Sequence, residues 1–331
     1  MNDQQAHPTA IMLVGFGGPD SIESVRPFMR NLMGHEPPDE LVARVERRYL
    51  TIGGESPLTA IAYQLARALE AKFAEAEKDV PVVLGMRYWP PFIGETLRGL
   101  HHHGFRKVVA VSLSPFDSKV ATGAYRDAVD EVLGDLEGME VVWAPALYTL
   151  TGFGGLHTGA AAEALTDLKD HRPALLIFTA HSLPEDDLVD DDPYVTQLRG
   201  LVDRMVAILQ MEKGGDVNGS DPRLAGIRGY GSLAGPQPWL IAYQSQGHRP
   251  GKWLGPNIND VAEAAIRGGI FKSIAVSPVG FATDHMETLY DLDVLLAGDV
   301  LDAGLEFARA PVPNTDELIV GSIYESVDPL I

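Results

Sequence analysis

The sequence predicts an α/β fold of two similar lobes, each a four-stranded parallel sheet flanked by helices, with a cleft between them. Short apolar runs alternate with helical patterns of ten or more residues, the mark of βαβ units and so of parallel strands. The chain also repeats itself. His103–Phe116 laid over Gly268–Phe281 matches at six of fourteen positions, an offset of 165 from position 103 to position 268, and the same offset lays Phe16 on His181 and Pro19 on Pro184. Finally, 331 residues is a length for two domains. The expected division is 1–150 for the first lobe, 151–310 for the second, which carries the reactive residues, and 311–331 for a C-terminal helix.

In order, Ala10 to Phe16 reads as a strand ending in Gly17-Gly18-Pro19. Asp20 and Glu23 then offer a capping box for a helix through Met33. The Gly-rich turn is no dinucleotide fingerprint: Gly15-Phe-Gly17 lacks the third glycine, and the next strand, Val80 to Met86, ends without the acidic residue that would hold a ribose. Gly53 to Leu58 is a loop, Thr59 to Glu77 a helix with Leu65, Leu69 and Phe73 on one face, and Arg87 to Pro91 another loop. A helix to His103, the strand Lys107 to Ser112, a helix from Ala121 to Gly134 and the strand Glu140 to Ala144 complete the first lobe. The triplet His101-His102-His103 reads as a solvated helix end, where imidazoles suit the C-terminal dipole.

In the second lobe a helix ends over Leu165 to Asp170, and the strand Ala174 to Ala180 stops at His181. An acidic run, Glu185 to Asp192, leads into a helix to Gln210. Gly214 to Pro238, rich in Gly, Pro, Asp and Ser, reads as a surface insertion with little fixed structure. Trp239 to Tyr243, Ser273 to Pro278 and Glu306 to Arg309 supply the remaining strands, with a last helix over Thr315 to Ser326.

Composition narrows the function. There is no cysteine, hence no disulfide, no thiolate nucleophile and no cysteine-ligated iron–sulfur cluster, and any metal must sit on His, Asp, Glu or Tyr. A net charge of −20 opposes nucleic acid or an anionic membrane surface as partner. No run of about 18 apolar residues is present to insert in a bilayer. The first residues, Met1 to Pro8, lack the basic and apolar regions of a signal peptide, so the expected compartment is the cytoplasm.

The chemistry concentrates in Ile274 to Asp293, a strand, a Pro/Gly turn and a helix start carrying Asp284, Glu287 and Asp291. At spacings of three and four these carboxylates share a helix face, above a carboxyl strand end, where open α/β sheets place ligands. Two readings stay open. Asp284 and Glu287 form a capping box and Asp291 is an ordinary solvated residue, or the cluster serves a divalent cation. His181, at the end of the second lobe's first strand, and His285, beside the carboxylates, favour the second, because neutral imidazole with carboxylate suits iron, zinc, cobalt or nickel.

Several segments resemble the ferrochelatase family: Gly53-Gly-Glu-Ser-Pro-Leu58, Thr179-Ala-His-Ser-Leu-Pro184, Tyr243-Gln-Ser245 followed by Trp253-Leu-Gly-Pro256, and Ser277 through Asp293 with its Asp-His-Met-Glu core. Phe16-Gly-Gly-Pro19 is most similar to the coproporphyrin ferrochelatases of Gram-positive, particularly actinobacterial, bacteria. The resemblance spans nearly the whole chain. It implies two Rossmann-like lobes around a porphyrin cleft, and insertion of Fe²⁺ as substrate into a porphyrin in haem synthesis, with no tightly bound cofactor and a monomeric protein.

It further implies that His181 and Glu287 are catalytic and, with Asp291, metal-handling, and that Phe16, Arg48, Tyr49, Ser56 and Tyr125 line the porphyrin site. Three features depart from the family pattern. Phe16 stands where many relatives have a Tyr that ligates product iron. The basic residue expected near Leu32 is absent, with Arg30 close by, and the loop 246–252 differs while 214–238 is additional. Coproporphyrin III, with four propionates, is the expected substrate over protoporphyrin IX, with Arg48, Arg30 or Arg249 as donors. A cobalt or nickel chelatase of the same fold and a non-catalytic tetrapyrrole carrier are the rival readings, the carrier having no need of Glu287.

Overall fold

Ala10 to Val14 form a strand with no exposed surface, β1 (Thr9–Gly15), as the continuous apolar run of a sheet covered on both faces requires. The computed structural model describes residues 8–188, 192–247 and 249–331. Residues 1–7 of the N-terminal stretch read for targeting, 189–191 of the acidic run and His248 of the loop 246–252 therefore lie outside the described residues. The chain divides into two compact units, one of 8–117, 121–152 and 314–331, the other of 118–120 and 153–313.

In the first unit, β1 is followed by α1 (Val25–Met33), α2 (Asp39–Thr51), α3 (Leu58–Glu75), β2 (Val82–Met86), α4 (Ile93–His102), β3 (Lys107–Ser112), α5 (Ala124–Leu133) and β4 (Glu140–Trp143). The sheet has the order β2-β1-β3-β4, all parallel. Its core joins Met12, Val14, Ile93, Leu97, Val108 and Tyr125. The expected capping box of Asp20 and Glu23 does not form. Asp20 instead accepts a hydrogen bond from Ser24 Oγ at 2.6 Å, and α1 begins only at Val25. A π-helical turn, Lys119–Gly123, precedes α5, which delays the helix expected from Ala121.

The second unit contains α6 (Thr151–Asp167, from residue 153), β5 (Ala174–His181), α7 (Tyr194–Ile208), β6 (Gly215–Val217), β7 (Gly229–Ser232), β8 (Trp239–Gln244), α8 (Ile258–Gly268), β9 (Ser273–Ser277), α9 (Met286–Leu289), α10 (Ala297–Asp302) and β10 (Glu306–Arg309). The last helix, α11 (Glu317–Val327), belongs to the first unit. The second sheet is not the expected four parallel strands. It has six, in the order β10-β9-β5-β8-β7-β6, the first four parallel and the last two antiparallel.

The added strands come from the segment 214–238, which is built rather than loose. Leu224 and Ile227 join the core with Leu240 and Ala265, and Tyr230 donates to both Asp203 carboxylate oxygens at 2.9 Å. Its polar composition hid these few anchors. The internal repeat, by contrast, is structural: β1 and β5 begin 165 residues apart and occupy equivalent places, each between two parallel neighbours.

Candidate functional site

The residues that the sequence singles out in the second unit lie at and just beyond the carboxyl ends of β5 and β9. His181 is the last residue of β5, held there by main-chain pairing to Gln244 of β8. Its own carbonyl accepts the Tyr194 hydroxyl at 2.8 Å. Burial pushes that phenol well above its ordinary value, so it remains a neutral donor. After β9 the chain turns through Pro278 to Phe281 and rests on β5. The Gly280 N–H donates to Thr179 O at 3.0 Å, and a Cβ on Gly280 would lie 2.6 Å from Ala180 Cα. Only glycine permits that approach, and the approach brings the next helix start over His181.

There His181 Nδ1 meets Glu287 Oε2 at 2.8 Å, and His285 Nε2 lies 3.6 Å from the same oxygen. The side chains of His181 and Glu287 keep 34% and 29% of their surface, so the pair sits at the solvent edge of the sheet rather than sealed inside it. Burial alone would pull the His181 imidazole down, but the neighbouring Glu287 carboxylate outweighs it and holds the ring above the ordinary histidine value, with Asp291 adding to the effect. Burial likewise pushes Glu287 up, yet the His181 charge and hydrogen bond, with His285 nearby, hold it well below the usual carboxylate range. Both shifts reflect mutual stabilisation of the two groups, with Nδ1–H donating to Glu287 and Nε2 as the other ring nitrogen.

The two readings of the helix start now separate. The N-cap of α9 is His285, not Asp284, and the residue that closes the turn is Thr288, whose Oγ1 accepts from the His285 N–H at 3.0 Å. Thr288 Oγ1 in turn donates to Asp284 at 2.9 Å. Glu287 is thus no capping-box member. Asp291 opens a π-helical stretch, Asp291–Leu296, and accepts the Ser245 hydroxyl at 2.5 Å. Among the described residues no three His, Asp or Glu groups stand close enough to hold a metal ion. Of the expected trio, His181 and Glu287 are in direct contact, and Asp291 is bonded to Ser245.

The residues expected against a porphyrin all lie in the first unit. Phe16 follows β1, is 39% exposed and packs on Tyr88 at 4.6 Å between ring centroids. Tyr49 is buried in α2, whose last turn also carries Arg48. Ser56 is buried beside Gly18, where a Cβ would lie 2.5 Å from Ser56 Oγ. Tyr125 sits in the core with its hydroxyl 3.1 Å from Ser114 Oγ. Arg30 and Arg249 are engaged with carboxylates, Glu36 at 2.5 Å and Asp187 at 2.8 Å. The histidine triplet ends α4, with His101 and His103 bonded to the carbonyls of Glu137 and Gly99.

Sequence reasoning missed four residues that shape this site. Tyr194 and Arg309 carry no motif of their own, and Thr288 was legible only as part of the Ser277–Asp293 stretch. Gln244, whose amide donates to Glu287 O at 2.7 Å, was legible only as part of Tyr243-Gln-Ser245.

Comparison with known proteins places this geometry in context. A family profile described as Ferrochelatase matches residues 8–329. A curated relative named ferrochelatase, from Herpetosiphon aurantiacus, is 30% identical over 320 residues, covering 94% of this chain and 95% of its own. Proteins named coproporphyrin III ferrochelatase from Mycolicibacterium smegmatis and Propionibacterium freudenreichii subsp. freudenreichii are 30% and 32% identical, covering 97% and 96% of this chain and 89% and 86% of theirs. Among solved structures, SirB from Bacillus subtilis with Fe³⁺ aligns with a TM-score of 0.52 at 10% identity, over 97% of this chain and 94% of that one, a likeness of fold.

Proposed function

The chain belongs to the ferrochelatase family of lyases that insert a metal into a porphyrin, and from that premise we propose that it inserts Fe²⁺ into coproporphyrin III, with His181 and Glu287 handling protons and metal. The observation that carries the reading is the 2.8 Å contact between His181 Nδ1 and Glu287 Oε2 at the end of β5. Insertion exchanges two pyrrole protons for one Fe²⁺, so the protein must accept protons where the metal arrives. Neutral His181 accepts a pyrrole proton at Nε2, and Glu287 stabilises the resulting imidazolium through Nδ1–H. Asp291, one turn further, takes part in carrying iron in or protons away. In the first unit, Phe16, Arg48, Tyr49, Ser56 and Tyr125 are the proposed porphyrin contacts.

Support for coproporphyrin comes from the curated relatives of that name and from the Phe16-Gly-Gly-Pro19 turn. A net charge of −20 disfavours anionic lipid, and among the described residues no helix is long and apolar enough to cross a membrane. Arg48, in the last turn of α2, is one proposed propionate donor; Arg30 and Arg249, the other two, would have to leave Glu36 and Asp187. The test is anaerobic metallation of both porphyrins, fully dispersed. A higher kcat/KM for coproporphyrin III is expected, and equal or reversed values reject that substrate. Faster insertion of Co²⁺ or Ni²⁺ than of Fe²⁺ would instead identify a chelatase for another metal.

A further inference from the structure

We infer that Arg309 is a positioning residue that holds the Asp284–Asp293 segment in place and so sets Glu287 against His181. The inference rests on the reading of that pair as the proton-handling site. Arg309 is the last residue of β10, and its side chain is only 14% exposed. Its Nε and Nη2 donate to the two carboxylate oxygens of Asp293 at 2.6 and 2.9 Å, while Nη1 lies 3.3 Å from Asp284 Oδ1. One guanidinium thus bridges two carboxylates on either side of Glu287 in sequence.

The segment needs such a clamp. A four-residue helix cannot sustain itself, since nucleation costs more than so few hydrogen bonds return. The π-helical Asp291–Leu296 after it is a rare geometry, frequent at functional sites. Asp284 is 17% exposed and accepts the Thr288 hydroxyl, whose oxygen accepts the His285 N–H, so the guanidinium reaches the main chain of α9 through one carboxylate and one hydroxyl. At the end of β8, Gln244 holds the Glu287 carbonyl, and the next residue, Ser245, holds Asp291. The segment is pinned by two strand ends, and β10 contributes its pin through Arg309 alone of the contacts described. A planar fork can serve two carboxylates at once, whereas a lysine is a single point charge.

The experiment compares wild type, R309M, R309K and D293N by amide hydrogen exchange and by anaerobic Fe²⁺ insertion into coproporphyrin III. R309M is expected to speed exchange over residues 284–293 and leave β5 and β9 unchanged. Its kcat should fall roughly ten-fold with the porphyrin KM retained, the pattern of a misplaced catalytic group. R309K should recover less than half of the lost kcat, and D293N, which leaves Arg309 on Asp284, should loosen 291–296 with a smaller kcat loss. Wild-type exchange and kcat in R309M, or full recovery in R309K, overturns the inference. Should R309M fail to fold, unchanged exchange in D293N does the same. Should wild type insert no metal while the exchange results hold, the functional reading falls and the clamp stands.

Discussion

The ends of β1 and β5 are the same place in two copies of one architecture, and they are dressed for opposite purposes. Each strand is flanked by two parallel neighbours and begins 165 residues from the other. At the end of β1 the next residue is Phe16, which packs among Phe28 and Tyr88. At the end of β5 stands His181, bonded to Glu287. The strand sequences differ little in kind, since both are apolar and buried, so the fold is indifferent to the side chain at their carboxyl ends. A fold of this class offers a ligand position at its carboxyl strand ends, and the residue set there decides whether the position presents an aromatic ring or an imidazole–carboxylate pair.

The strongest way to break that asymmetry is to remove its reactive half. His181→Ala should leave the fold intact and reduce metal insertion by roughly 10²- to 10⁴-fold, the usual worth of a positioned acid–base group, as read from porphyrin absorbance with circular dichroism as the folding control. A smaller change should come from pH. Because His181 is raised and must be neutral to accept a pyrrole proton, kcat should fall as pH drops through its raised pKa. In Glu287→Gln the imidazole loses its partner, so NMR titration of the ring should show a lower pKa than in wild type.

The sign of the stability effect is set by the same shifts. The raised His181 contributes stability that is complete below its ordinary 6.5 and lost as pH rises through the raised value. The depressed Glu287 contributes stability present above its ordinary 4.5 and lost as pH falls through its lowered value. The pair therefore stabilises most between about 4.5 and 6.5, and only modestly, being partly exposed.

Two finer changes sharpen the contrast. Thr288→Ala removes the hydroxyl that closes α9, and should cost about 1 kcal/mol of unfolding free energy by denaturant titration, in the range of a lost cap. Phe16→Tyr gives the first unit the phenol that the family resemblance leads one to expect there. It should leave kcat nearly unchanged while shifting the absorption spectrum of the bound iron product; a large kcat change would mean that the β1 end takes part in the chemistry.

Much of this architecture is legible in the sequence because buried strands advertise themselves. Lys107–Ser112, buried at its four central positions, is a strand at the expected bounds, as is the less buried Glu306–Arg309, and the repeat alone sets His181 at the place equivalent to Phe16. Helix α2 escapes the pattern since charged residues fill it and only Val42 and Tyr49 are buried; its signals are Pro38 and the acidic first turn of Asp39 and Glu40. Helix α8 is missed although Asn257 and Gly269 cap it.

The hairpin of 214–238 reads as loose because glycine and proline outnumber the few side chains that anchor it. The capping of α9 by His285 and Thr288 is beyond spacing rules, which favour Asp284 and Glu287 equally well. That shift of one residue matters most, since it leaves the Glu287 carboxylate to His181. The Arg309 clamp has no sequence signature, because it arises from where the end of β10 comes to lie against a segment distant in sequence.

The most direct measurement uses Glu287→Gln in a single-turnover experiment, with coproporphyrin III and Fe²⁺ mixed anaerobically and binding and metallation read from one spectrum. The amide keeps the shape of the carboxylate and lacks its charge. Porphyrin binding equal to wild type with most of the metal insertion lost is the expected result. Insertion at the wild-type rate, with only the stability of the helix reduced, would contradict a proton- and metal-handling role for the His181–Glu287 pair.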